Sequence, residues 1–73
     1  MTPKDLDTRG LLCPQPVLKI SMQVPEMRPG DLLRVVGDCP TFEEDVRKWV
    51  TRMKKTVLAV TRSGSEVTIQ IQF

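Results

Sequence analysis

The chain has 73 residues, with 11 Lys and Arg against 9 Asp and Glu for a net charge of +2, two cysteines, and neither histidine nor tyrosine. A chain this short makes one small domain, residues 1–73, that buries roughly 60% of its unfolded surface, so its core is thin and its chemistry belongs at the surface. The lack of histidine excludes Ser-His and Cys-His catalysis, two cysteines are too few for a tetrahedral zinc site, and the balanced charge argues against a protein built for nucleic-acid phosphates.

Neither a cofactor nor a metal is therefore expected, and the soft nucleophiles reduce to Cys13 and Cys39. One disulfide at most is not the dense framework of small secreted domains. Met1 to Asp7 has no apolar run, and Leu32 to Val36 is far short of a membrane span. The expected setting is a reducing cytoplasm, with no membrane or direct nucleic-acid partner.

In chain order, a first strand is expected around Lys4 to Thr8, followed by a loop Arg9-Gly10-Leu11-Leu12 that leads into Cys13. Pro14 suits a first helical position, where its missing N–H would be unpaired anyway, and Pro16 falls in the same tolerant turn. Val17, Ile20 and Val24 recur at helical spacing, so a helix is predicted from about Pro14 to Val24, with Pro25 ending or kinking it. Arg28-Pro29-Gly30-Asp31 reads as a turn and Leu32 to Val36 as the second strand, closed by Gly37-Asp38-Cys39-Pro40.

A second helix is predicted over Phe42 to Lys54. Thr41 and Glu44 fit a capping box, and Phe42, Val46, Trp49, Val50 and Met53 form its apolar stripe. Glu43 with Arg47 and Glu44 with Lys48 are i,i+4 pairs. Thr56 to Arg62 is a third strand, Ser63-Gly64-Ser65 a hairpin turn, and Glu66 to Phe73 a fourth strand. There Val67, Ile69, Ile71 and Phe73 alternate with Thr68, Gln70 and Gln72, so one sheet face is covered and the other solvated. The order βαβαββ predicts a small two-layer α/β sandwich, a four-stranded mixed sheet with two helices on one face.

Cys13 stands where a helix begins, and the positive end of the helix dipole lowers a thiol pKa. Arg9, across a Gly10 hinge, is a candidate source of further positive charge. With no histidine base available, such a thiol suits accepting and passing on a group better than hydrolysis. The competing reading of the same residues is a small apolar cysteine at a helix cap.

The run Leu6-Asp7-Thr8-Arg9-Gly10-Leu11-Leu12-Cys13-Pro14-Gln15-Pro16-Val17-Leu18 resembles the signature of the TusA/SirA-type sulfur-carrier family, marked by Cys-Pro-x-Pro. The likeness continues through Met27-Arg28-Pro29-Gly30-Asp31, Asp38-Cys39-Pro40-Thr41, Asp45-Val46 and Trp49. The resemblance implies a βαβαββ sandwich whose motif cysteine, here Cys13, takes sulfane sulfur as a persulfide from a cysteine desulfurase or a rhodanese. It then hands that sulfur to an acceptor protein of DsrE-like type. Such carriers serve tRNA thiolation, molybdenum-cofactor assembly and sulfur-compound oxidation, and a monomer is expected. The chain departs from the family at Cys39, where Asp is common, at Ser21 and Met22 in place of a lysine that Lys19 stands near, and at Lys54-Lys55 in place of a His-containing pair.

If the first two strands are parallel neighbours, both strand-to-helix loops lie at one sheet edge, which brings Cys39 toward Cys13. Cys39 is then either a second thiol for relay or redox exchange, or a small loop residue in place of Asp. Arg47, Lys48, Arg52, Lys54 and Lys55 make the one basic concentration, either a solvated face or a docking surface for which Lys48 and Arg52 are the test positions. Leu11, Leu12, Leu18 and Lys19 around Cys13 offer another candidate interface or belong to the core. Two further readings stay beside the carrier: a non-catalytic regulatory or interaction module, and a Cys13–Cys39 redox switch.

Overall fold

A computed structural model describes residues 4–12 and 15–73. The elements run β1 (Lys4–Asp7), α1 (Gln15–Gln23), a 3-10 turn (Val24–Glu26), β2 (Leu32–Gly37), α2 (Phe42–Arg52), β3 (Thr56–Ser63) and β4 (Glu66–Gln72). The predicted order holds, and the four strands form one sheet in the order β1-β2-β4-β3. β1 lies parallel to β2, from Lys4↔Leu33 to Asp7↔Val36, while β4 is antiparallel to both β2 and β3. The expected parallel pairing of the first two strands is thus observed.

The apolar alternation decides which face is covered. Leu33, Val35, Ile69 and Ile71 are fully buried and meet Ile20 of α1 and Phe42, Val46, Trp49 and Val50 of α2 in one core. Leu6, Val67 and Phe73 pack against that cluster. The other face carries polar side chains such as Arg34, which holds Asp5 on the neighbouring strand with Nε 2.7 Å from Oδ1. Trp49 is buried, and its indole N–H donates to Ser21 Oγ at 2.9 Å, which satisfies the one polar atom of that side chain.

Several boundaries differ from the sequence expectation. α1 ends at Gln23, and Pro25 sits in the 3-10 turn that follows, where Met27 N–H donates to Val24 O. Its predicted start at Pro14 lies outside the described residues. α2 stops at Arg52, two residues before the predicted end. Met53 caps it with its side chain exposed, instead of completing the buried stripe. Lys54 then takes a left-handed φ of 59°, while Lys55 N–H bonds Val50 O and Lys54 N–H bonds Thr51 O. This is a Schellman closure with lysine where glycine is usual.

The expected capping box is replaced. Thr41 Oγ1 donates to the Asp45 carboxylate at 3.0 Å without capping a helix N–H, and Glu44 pairs with Lys48 at 3.2 Å. The expected Glu43–Arg47 pair is present at 3.0 Å, and Arg62 of β3 joins it. The hairpin tightens to Gly64-Ser65, because Ser63 already pairs with Glu66.

Candidate functional site

Parallel pairing sends β1 and β2 out of the sheet at the same end, so the loop segments that follow them, residues 8–12 and 38–41, lie side by side. Bonds beyond the strand ladder hold them there. Thr8, fully buried, donates to Val36 O twice, from its backbone N–H at 2.8 Å and its hydroxyl at 2.7 Å. Gly10 N–H donates to Asp38 Oδ1 at 3.0 Å, and Leu11 N–H closes a turn onto Thr8 O at 3.3 Å. Gly10 adopts φ 84°, a conformation that this turn needs and that a side chain would strain. Its amide is held by Asp38 in this turn.

Gly37, Thr8 and Phe42 interlock beneath these loops. A Cβ on Gly37 would stand 2.5 Å from two Phe42 ring carbons and 2.8 Å from Thr8 Oγ1, so only glycine lets the chain turn from β2 toward α2 here. Sequence reading passed over Thr8, Gly37 and Asp38 as site residues. The available signal was Gly37-Asp38 directly after an apolar strand, the mark of a tight exit.

The expectation that Arg9 adds charge at the Cys13 thiol involves a residue outside the described ones; the contacts of Arg9 itself are with carboxylates. Its guanidinium donates to both Asp7 carboxylate oxygens, at 3.0 and 2.9 Å, and approaches Glu66 at 3.4 Å. The charge is engaged by two carboxylates because Asp7 and Glu66 project beside it. The side-chain hydrogen bond from Arg9 is the main reason that the Asp7 carboxyl is held down to about 2.

Cys13 and Pro14 lie outside the described residues. α1 starts at Gln15, whose N–H donates to Leu12 O at 2.8 Å, and Pro16 is buried. The first turn of α1 carries no acidic residue, whereas that of α2 carries Glu43, Glu44 and Asp45. The positive end of the α1 dipole is therefore not offset by its own side chains, and an anion next to it is favoured.

Cys39, in the adjoining loop, is half-buried and packs against the core, with its sulfur 3.7 Å from Thr41 Oγ1. It is disulfide-bonded.

The leucines separate cleanly. Leu12 and Leu18 are 78% and 59% exposed and Leu11 is half-buried, so Leu12 and Leu18 do not belong to the core. With Met22, 71% exposed, and the exposed Lys19, they give α1 an apolar outer strip that begins at the loop of interest. Lys48 and Arg52 are elsewhere, on the outer face of α2, along a shallow groove of about 730 Å³ that runs from Pro40 past Arg47 to Arg52. The two candidate docking regions are thus on different helices. Among the described residues no group of three metal-ligating side chains occurs, and no helix is long and apolar enough to cross a membrane.

Comparison with known protein families gives a match to the family described as sulfurtransferase TusA over residues 4–73. That span contains every element of the sheet, both helices and both cysteine-bearing loops, and the βαβαββ order expected from the motif is the one observed. With nearly its whole length matched, the chain belongs to the TusA family, whose role is that of a sulfur carrier or sulfurtransferase.

Proposed function

We propose that this chain carries sulfane sulfur on Cys13. The observation that bears most weight is the family match over residues 4–73, because it includes the Cys13-Pro14 step at the entry to α1. The Cys13 thiolate attacks the outer sulfur of a donor persulfide; the sulfur–sulfur bond of the donor breaks, the donor cysteine leaves as thiolate, and Cys13 becomes the persulfide. An acceptor thiolate then repeats the exchange, so sulfur moves between proteins with no net oxidation. The positive end of α1 favours the anionic sulfur at the start and the end of each step.

The donor is a cysteine desulfurase or a rhodanese, the acceptor is a sulfur-relay protein of DsrE-like type, and the setting is the cytoplasm. The exposed strip of Leu12, Leu18, Lys19 and Met22 supports docking next to the reacting cysteine, since a partner seated there reaches the α1 entry directly. Incubation with a cysteine desulfurase and cysteine, or with a rhodanese and thiosulfate, is expected to add one sulfur mass to the intact chain. Equal loading of Cys13→Ser would refute the assignment.

One observation favours a second reading. Cys39 is disulfide-bonded, which supports a dithiol–disulfide switch with Cys13 that must be reduced before sulfur is accepted. In the same loading experiment, prior reduction then raises uptake by the native chain but leaves Cys39→Ser unchanged; equal uptake by native protein with and without reductant would refute the switch.

A further inference from the structure

We infer that Asp38 is a positioning residue for sulfur transfer, which holds the loop carrying Cys13 in place from the neighbouring loop; this rests on the carrier reading above. The strand ladder between β1 and β2 ends at Asp7↔Val36, and Thr8 extends it by one residue through its two bonds to Val36 O. Beyond that point the chain must cross from strand to helix without sheet support. Two consecutive amides of the Thr8–Leu11 turn are each taken by a carboxylate: Arg9 N–H by Asp7 Oδ1 at 3.0 Å, and Gly10 N–H by Asp38 Oδ1 at 3.0 Å. The Asp7 bond is local to its own strand, whereas the Asp38 bond ties the two loops together.

The surroundings of Asp38 argue for a geometric role. Its side chain is exposed, it takes part in no salt bridge among the described residues, and it is no part of the buried core. A surface carboxylate adds little to global stability, because water replaces it when it is removed. Nor does a carboxylate assist the ionisation of a thiol, since like charge disfavours the anion. What the carboxylate supplies is a charge-assisted acceptor for a backbone donor three residues before Cys13, at a glycine whose φ of 84° depends on the turn staying formed.

Transfer between two sulfurs needs alignment within a fraction of an ångström, and a misplacement of about 1 Å costs up to ~100-fold in rate. The test is the single-turnover rate of sulfur loading from a cysteine desulfurase with cysteine into protein that has been reduced and freed of reductant, followed by intact mass. Asp38→Ala is expected to lower the rate at saturating donor by between about 10-fold and 100-fold. The donor concentration at half-maximal rate should stay unchanged and the melting temperature within about 4 °C. Asp38→Asn keeps an acceptor oxygen and loses the charge, so it should restore the rate to within a few-fold of native.

Native-like loading by Asp38→Ala overturns the inference. So does an Asp38→Asn variant as slow as Asp38→Ala while both remain folded, since that would assign the effect to charge. A native chain that takes up no sulfur even after prior reduction would remove the carrier reading and this inference with it, whereas normal loading of the reduced native chain with a silent Asp38→Ala removes the inference alone.

Discussion

Replacing Gly37 with alanine tests whether the two loops and the core really interlock as described. The added methyl would stand 2.5 Å from Cδ1 and Cε1 of Phe42 and 2.8 Å from Thr8 Oγ1. Ordinary carbon contacts begin near ~3.5 Å, so the ring must move by about 1 Å or the backbone must open. The ring has little room to move: Phe42 is 1% exposed and belongs to the buried core cluster. Overpacking of this kind costs about 1–3 kcal/mol. Thr8 must yield as well, and its hydroxyl then loses the 2.7 Å bond to Val36 O, a further ~1 kcal/mol.

A loss of about 2–4 kcal/mol in a domain of this size lowers the melting temperature by at least about 10 °C. The assay is thermal and urea unfolding followed by the fluorescence of Trp49, the sole tryptophan, which is buried against the same core. A melting temperature within about 4 °C of native would mean that Gly37 is replaceable and that the close approach does not govern the fold.

Two further outcomes follow from local geometry and charge. Lys54→Gly should raise stability by about 0.5–1 kcal/mol in the same unfolding assay, because the Schellman closure of α2 places lysine at φ 59° where glycine carries no Cβ penalty; a neutral or destabilising result would refute that account. Asp7 is held down to about 2 by hydrogen bonds from Arg9, and Asp5, Glu26 and Glu43 are lowered by bonds from Arg34, Lys4 and Arg47. Lowered carboxylates stabilise the folded state above their unfolded values and lose that contribution as the pH falls through the folded ones. Stability should thus be flat near neutrality with respect to these groups and decline from the ordinary carboxylate range toward pH 2. In Arg9→Ala the Asp7 carboxyl, followed by carboxyl NMR, should titrate close to the ordinary value.

Some features were legible because they depend on spacing along one segment. The alternation of Val67, Ile69 and Ile71 with Thr68, Gln70 and Gln72 assigns a face to every residue of β4, since a strand turns its side chains over at each step. The Glu43–Arg47 and Glu44–Lys48 pairs follow from the helical repeat in the same way. Thr41 and Glu44 form the counterexample: the spacing fits a capping box, yet each has a competing partner one turn along, in Asp45 and Lys48. Met53 had the right spacing for the α2 stripe, but the helix unwinds at Arg52 and the side chain leaves the covered face.

What the amino-acid sequence determined by itself was the element order, the covered face of the sheet, and a cysteine two residues ahead of a helix in the chain. All three depend on residues near one another in the chain. Only the tertiary structure decided what the loop before that cysteine rests on. Arg9 turns to Asp7 and Glu66, Gly10 is tied to Asp38 across a separation of 28 residues, and Gly37 admits the Phe42 ring beneath Thr8. These contacts exist because parallel pairing of β1 with β2 brings two distant strand exits to one edge. No periodicity within either segment encodes that meeting.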